Sequence, residues 1–311
     1  MSHRAALQCR VLAALSLSQG LCPAQAPPIE LTPILDRLSE EAAAFRRLAP
    51  RILAEERLEQ RAVLPGPRFR PRIGQSAAEP RAPVTQTREV ISEYTYAAFR
   101  EAPEALHEMR QVVSVDGRAI RTSEKARQTL SLGVTSDDDR LRKQMLLELR
   151  KHGLMETAID FGQIILLFSK QGLRNFRFQV GGRTRFGADS VVMIKFEQVT
   201  GDAALMSFEE RRAIRQRMQG ALWVREPGFL PIRVMVVTSY TAKGETIRDE
   251  GTVEYTQTPF GALAPASVVH RRYAGDRRLV ENLFHYSAFR MFGAASEIKF
   301  TEAPAPPDST K

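Results

Sequence analysis

The chain is predicted to be an α+β protein: a large antiparallel β-sheet that either curls into a barrel or has covering helices on one face, preceded by an amphipathic helix. Three observations lead there. From about residue 87 onward, apolar residues recur with period two, in runs bounded by turn residues. Those runs follow one another without the regular intervening helices of βαβ units, so the strands are read as antiparallel neighbours. Ahead of them, Ile34, Leu38, Ala42 and Phe45 recur at helical spacing and form one apolar stripe.

Residues 1–26 read as a secretory signal peptide. Arg4 and Arg10 make a basic start, Val11 to Leu17 form a short apolar run, and small residues follow at Cys22-Pro23-Ala24-Gln25-Ala26. Cleavage after Ala26 leaves Pro27 first, where its ring suits a protease badly; cleavage after Ala24 is the alternative. A lipoprotein reading makes Cys22 the acylated residue, but Leu21 stands where a small residue is expected. A cytoplasmic protein with an apolar N-terminus is the plain alternative to export. Both cysteines, Cys9 and Cys22, fall in this segment, so cleavage removes disulfides, thiol nucleophiles and thiolate metal sites together. No other stretch approaches the roughly 18 apolar residues of a spanning helix.

Residues 27–62 are expected to be an amphipathic helical region. Thr32-Pro33 places a capping hydroxyl before a proline at the first helical position. Pro50 then kinks the helix or begins a second one, with Ile52, Leu53 and Leu58 continuing the pattern. Its stripe either packs on its own domain or serves as a partner-binding arm. Residues 63–86 read as a Pro-rich linker, with Pro65, Pro67, Pro71, Pro80 and Pro83 and the basic cluster Arg68-Phe69-Arg70-Pro71-Arg72.

Residues 87–302 are assigned to one antiparallel β-rich domain with inserted helices, and residues 303–311 to a disordered tail. Strands are expected at 88–96 and 106–115, with Asp116-Gly117 turning the second into Arg118-Ala119-Ile120. Helices follow at 137–152, led by Asp137, Asp138 and Asp139, and at 156–169. Strands at 175–180 and 190–199 precede a short charged helix at 207–219. The segment 221–237 reads as a hairpin, since Pro227-Gly228 suits a type II turn. Further strands are expected at 246–257, 264–273, 277–288 and 296–302.

The formal charge of +9 becomes +7 once Arg4 and Arg10 leave with the signal. Outside the cytoplasm, such a surface favours anionic lipid heads or acidic polymers, and peripheral contact with an anionic membrane, over nucleic acid. Arginine is spread along the chain without an RNP-like aromatic motif or zinc-finger spacing, so no nucleic-acid partner is expected. There is no nucleophile elbow, zinc-protease helix, phosphate loop or dinucleotide fingerprint. Asp160-Phe161-Gly162 matches a kinase tripeptide by letter alone. His270 and His285 on neighbouring strands, near Glu281, are the best candidates for a metal or general-base pair, but strand alternation is as apt to separate them. No catalytic residue, cofactor or metal is assigned. Phe176, Phe178, Phe196, Trp223, Met235 and Tyr255 are the candidates to line an apolar ligand cavity, against the alternative that they are simple core.

Leu222-Trp223-Val224 followed by Leu230-Pro231-Ile232-Arg233 is similar to the strand-turn-strand unit of the bacterial lipoprotein carriers, the half-barrel group that includes LolA, LolB and the N-terminal domain of RseB. The export signal, the early helix and the successive antiparallel strands resemble that group too, over residues 87–300. The resemblance implies a curved sheet wrapped around helices, with an apolar cavity for acyl chains. The proline linker and the inserted helical segments depart from it. Asp160-Phe161-Gly162 to Phe168 and Phe176-Arg177-Phe178 also resemble uncharacterised exported bacterial proteins, which carry no known activity. The expectation is a non-catalytic, exported, periplasmic or extracellular protein that binds a lipid or lipoprotein acyl chain. The alternative is an envelope protein-protein interaction or sensory module without a small ligand.

Overall fold

In the computed structural model, residues 28–64, 82–136, 139–155, 160–201, 205–209, 212–242 and 244–292 are described. The expected signal segment, most of the linker and the expected strand at 296–302 lie outside them, as do residues 303–311.

Helix α1 (Leu31–Leu48) carries Ile34, Leu38, Ala42 and Phe45 on one fully buried stripe. It begins one residue before Thr32, so Thr32 is not its cap; Glu30 occupies the cap position without a side-chain bond. Pro33 sits in the first turn, where a missing N–H costs nothing. Ala49–Arg51 form one 3-10 turn around Pro50, and the chain then changes period. Ile52–Leu64 is strand β1, not the continued helix expected from Ile52, Leu53 and Leu58. From Ala54, alternate residues Glu56, Leu58, Gln60 and Ala62 are buried, and β1 is hydrogen-bonded to a strand on each side.

The strands that follow are β2 (Val84–Phe99), β3 (Ala102–Val115), β4 (Arg118–Ala119), β5 (Phe176–Phe186) and β6 (Asp189–Gln198). A separate pair, β7 (Leu205–Glu209) and β8 (Arg212–Gln216), stands where a charged helix was expected. Then come β9 (Met218–Arg225), β10 (Leu230–Ala242), β11 (Glu245–Gln257), β12 (Leu263–Ala274) and β13 (Arg277–Met291). Eleven strands form one antiparallel sheet in the order β4-β3-β2-β1-β13-β12-β11-β10-β9-β6-β5. It is a meander broken at two junctions, where the first strand meets the last and where β9 pairs with β6. The result is an α+β half-barrel, an open sheet with helices packed on it.

Strand alternation assigns the two faces. The inner face holds Leu58, Val90, Tyr94, Ile194, Leu222, Val234, Val253 and Phe284, packed under α1 and the 3-10 turn Ile164–Phe168. That turn replaces the helix expected at 156–169, of which 156–159 are outside the described residues. At the β2–β3 end, the outer face is covered by α2 (Ser123–Thr135) and α3 (Asp139–Leu146). Leu130 and Met145 there bury Leu53, Ala97 and Met109. Helix α2 was not foreseen: Thr122 caps it by accepting from the Lys125 amide, a signal the sequence carries. Because the α1 stripe is fully buried in its own domain, it is not a free arm for a partner.

The 221–237 hairpin forms, and Gly228 has the positive φ (94°) that a type II turn requires at that position; Phe229 after it also lies at positive φ (52°).

Candidate functional site

Two features on opposite faces of the sheet have the polarity and placement of functional sites. The first is a buried charge cluster on the inner face. Arg110 on β3 reaches Glu56 on β1 through Nε (2.8 and 2.9 Å) and Glu108 through Nη2 (2.7 Å). All three side chains are almost completely buried. Glu108 also accepts from the Tyr94 hydroxyl (2.9 Å) and from the backbone amides of Asp160 and Gly162 (both 2.8 Å). Asp160 answers by accepting from the Glu108 amide at 2.9 Å and bonding His107 Nδ1 at 2.9 Å. The Tyr255 hydroxyl donates to the Gly162 carbonyl (3.1 Å) and accepts from the Ile165 amide (3.0 Å). A Cβ at Gly162 would stand 2.7 Å from Glu108 Oε1, so only glycine lets the loop approach this closely.

Burial raises the Glu56 carboxyl above its ordinary range, with Arg110 pulling it back. Burial likewise drives the Tyr94, Tyr96, Tyr255 and Tyr286 phenols far from ionisation. The hydrogen bond to Asp160 raises His107 above its usual value against the opposing effect of burial. What the cluster does is clamp loop 160–168 onto the sheet. Its groups are engaged with one another.

A second inner row crosses four adjacent strands. Gln60 Nε2 donates to Asn282 Oδ1 (2.6 Å), Asn282 Nδ2 bonds His270 Nδ1 (3.0 Å), and His270 Nε2 bonds Asp249 Oδ1 (2.9 Å). Arg272 holds both Asp249 oxygens at 2.8 and 2.9 Å. Although burial raises Asp249, these bonds win and hold it below the ordinary carboxylate range. Both ring nitrogens of His270 are engaged, and Phe161 lies 5.2 Å from its ring over Gly251, so no lone pair faces a substrate. His285 is exposed and three residues from Asn282 on β13, which places it on the opposite face from His270. The sheet therefore keeps the two histidines apart. Among the described residues, no group of three or more His, Cys, Asp or Glu is placed to hold a metal ion.

The other feature is an open cleft of about 470 Å³. Apart from Phe196 and Gly220, its lining falls in three cross-strand rows of the outer face: Arg177–Glu197–Gln219–Val237, Gln179–Lys195–Ala221–Met235, and Met193–Trp223. Apolar side chains concentrate on β9 and β10, cationic ones on β5 and β6. Arg233 lies 5.7 Å from the Trp223 ring and 4.2 Å from Phe186, and is ion-paired to Glu254. Gly220 lets β9 run tight against β10: a Cβ there would stand 1.9 Å from the Met235 carbonyl oxygen.

The six cavity candidates divide between the faces. Trp223 and Met235 are in the outer cleft. Phe196 borders it at Gly220, while its ring packs inward against Phe168 and Phe176, at 5.2 and 5.6 Å between centroids. Phe176 and Phe178 flank Phe168 on the inner face, and Tyr255 binds the loop there. The cationic side of the cleft, Arg177 and Lys195, escaped the sequence reading, as did Glu56, Glu108 and Arg110. Their signal was present: Lys195 sits between Ile194 and Phe196 on an alternating strand, so it must face away from the core.

No family model matches the chain, and no curated protein matches it. Among solved structures, it is similar to a DUF1329 family protein from Desulfovibrio piger, at TM-score 0.37 and 9% identity, over 87% of this chain and 97% of that one. It is also similar to a LolA superfamily protein from Nitrosomonas europaea, at TM-score 0.30 and 10% identity, over 85% of this chain and 94% of that one.

Proposed function

We propose that this chain is a non-catalytic, exported protein that binds a lipid or lipoprotein acyl chain, and that the chain lies in the outer-face cleft. The observation that carries the reading is the cleft itself. Its volume of about 470 Å³ falls within the ~300–1,000 Å³ typical of small-molecule sites. Trp223, Met193, Met235, Val237 and Ala221 give an acyl chain dispersion contacts and a surface from which it displaces water. The inner face, where the resemblance placed the acyl cavity, is occupied by α1, Phe168 and the paired charges around Arg110. The engaged nitrogens of His270 support a binding role over catalysis.

The test is native mass spectrometry, with solvent extraction, of the chain purified from a bacterial periplasm. A stoichiometric co-purifying lipid supports the reading, and its loss in Met235→Asp assigns it to the cleft. A ligand-free mass, with no binding on adding lipid, contradicts it. The intact mass also locates the cleavage point.

A further inference from the structure

We infer that the cleft selects a free single-chain amphiphile ending in a carboxylate, with its head at Arg177 and Lys195 and its tail across Trp223 and Met235. The inference rests on the lipid-binding reading and names the ligand class.

Charge pairing carries it. On the sheet's outer face, several arginines have acidic partners: Arg57 with Glu89, Arg233 with Glu254, Arg248 with Glu250 and Arg271 with Glu281. In the cleft, neither Arg177 nor Lys195 makes an ion pair with a described residue. Glu197 stands directly opposite Arg177 across β5 and β6 without bonding it. Lys195 is flanked across the strands by Gln179 and Ala221, neither of which bears charge. Two cations without partners therefore border an apolar floor, and the register sets their order. Moving from β5 and β6 to β9 and β10 passes from Arg177 and Lys195 to Ala221, Trp223 and Met235.

That gradient matches a molecule with one anionic end and one apolar tail. The guanidinium takes a carboxylate in a two-pronged geometry, and the ammonium adds a mobile second donor. An apolar pocket of this size suits one chain, rather than the two of a membrane phospholipid.

The experiment uses Trp223, the single tryptophan of the chain, as a reporter inside the cleft. Its fluorescence is followed while the full-length mature protein is titrated with dodecanoate or with dodecanol, each below its aggregation limit. Dodecanoate is expected to bind about tenfold tighter, the ratio that roughly 1.4 kcal/mol of head-group interaction gives. In the double variant Arg177→Gln, Lys195→Gln that advantage disappears while dodecanol affinity stays the same. Unchanged thermal melting of the variant shows that the fold is intact. Equal affinity for acid and alcohol overturns the carboxylate assignment and leaves lipid binding standing. No response to either overturns both. Tighter binding to anionic phosphatidylglycerol vesicles than to free dodecanoate overturns the single-chain occupant in favour of a membrane surface.

Discussion

Arg110 and Lys195 are cations on strands of the same sheet, on opposite faces, and they meet opposite conditions. Arg110 is sealed under α1 and the 160–168 loop, bonded to two carboxylates and stacked 5.1 Å from the Tyr94 ring. Lys195 is exposed at the border of an apolar cleft, with no acidic neighbour across either adjoining strand. Where water is excluded, a charge survives only with its partners in place, so the inner cluster is architecture. Where water remains, an unpaired ammonium costs little, so it stays available to a ligand. The same reasoning separates His270, whose nitrogens are both engaged, from a working acid or base.

The comparison predicts effects of different size and kind. Arg110→Met leaves Glu56 and Glu108 buried without a cation, and the expected loss in urea denaturation is about 3–5 kcal/mol. Adding Glu56→Met should recover part of it, because Glu108 keeps the Tyr94 hydroxyl and two loop amides. Strictly additive losses would show that the three groups are not one unit. Leu38→Ala on α1 opens a cavity over the inner face and should cost about 2–5 kcal/mol. A near-neutral result would mean that the helix is not docked there.

His107 gives a smaller, pH-dependent effect. Its raised value means that the Asp160 pair contributes fully below the ordinary histidine value of about 6.5 and fades as pH rises through the raised one. His107→Gln should therefore reduce thermal stability at pH 5.5 by up to about 1 kcal/mol and change it little at pH 9. The reverse trend would place the stabilising charge elsewhere. Smallest of all, Lys195→Gln should alter stability by less than about 0.5 kcal/mol, since nothing in the fold depends on it. A larger loss would make Lys195 structural.

The sheet was legible because period two survives in β2, β3 and β9 to β13, where one face is apolar and turns such as Asp116-Gly117 punctuate the runs. Strand β1 was misread since its inner face carries Glu56 and Gln60 among Ala54, Leu58 and Ala62, which breaks the apolar alternation. Only the tertiary partners Arg110 and Asn282 make those residues suitable core. Thr122 signalled α2, but the aspartates at 137–139 drew the helix start downstream. In the cleft, Trp223 and Met235 were visible as large apolar residues. That they share a face with Lys195, and not with Phe176 or Tyr255, follows from register, which pairs residues far apart in the chain.

The central claim is that the ligand lies on the outer face and that the inner face is filled. Photolabelling with a diazirine-bearing dodecanoate, followed by peptide mapping, tests it most directly. The label is expected on peptides containing Met193, Trp223 and Met235, and to be competed away by plain dodecanoate. Competed label at Phe168, Phe176 or Phe284 would place the ligand under α1 and contradict the account.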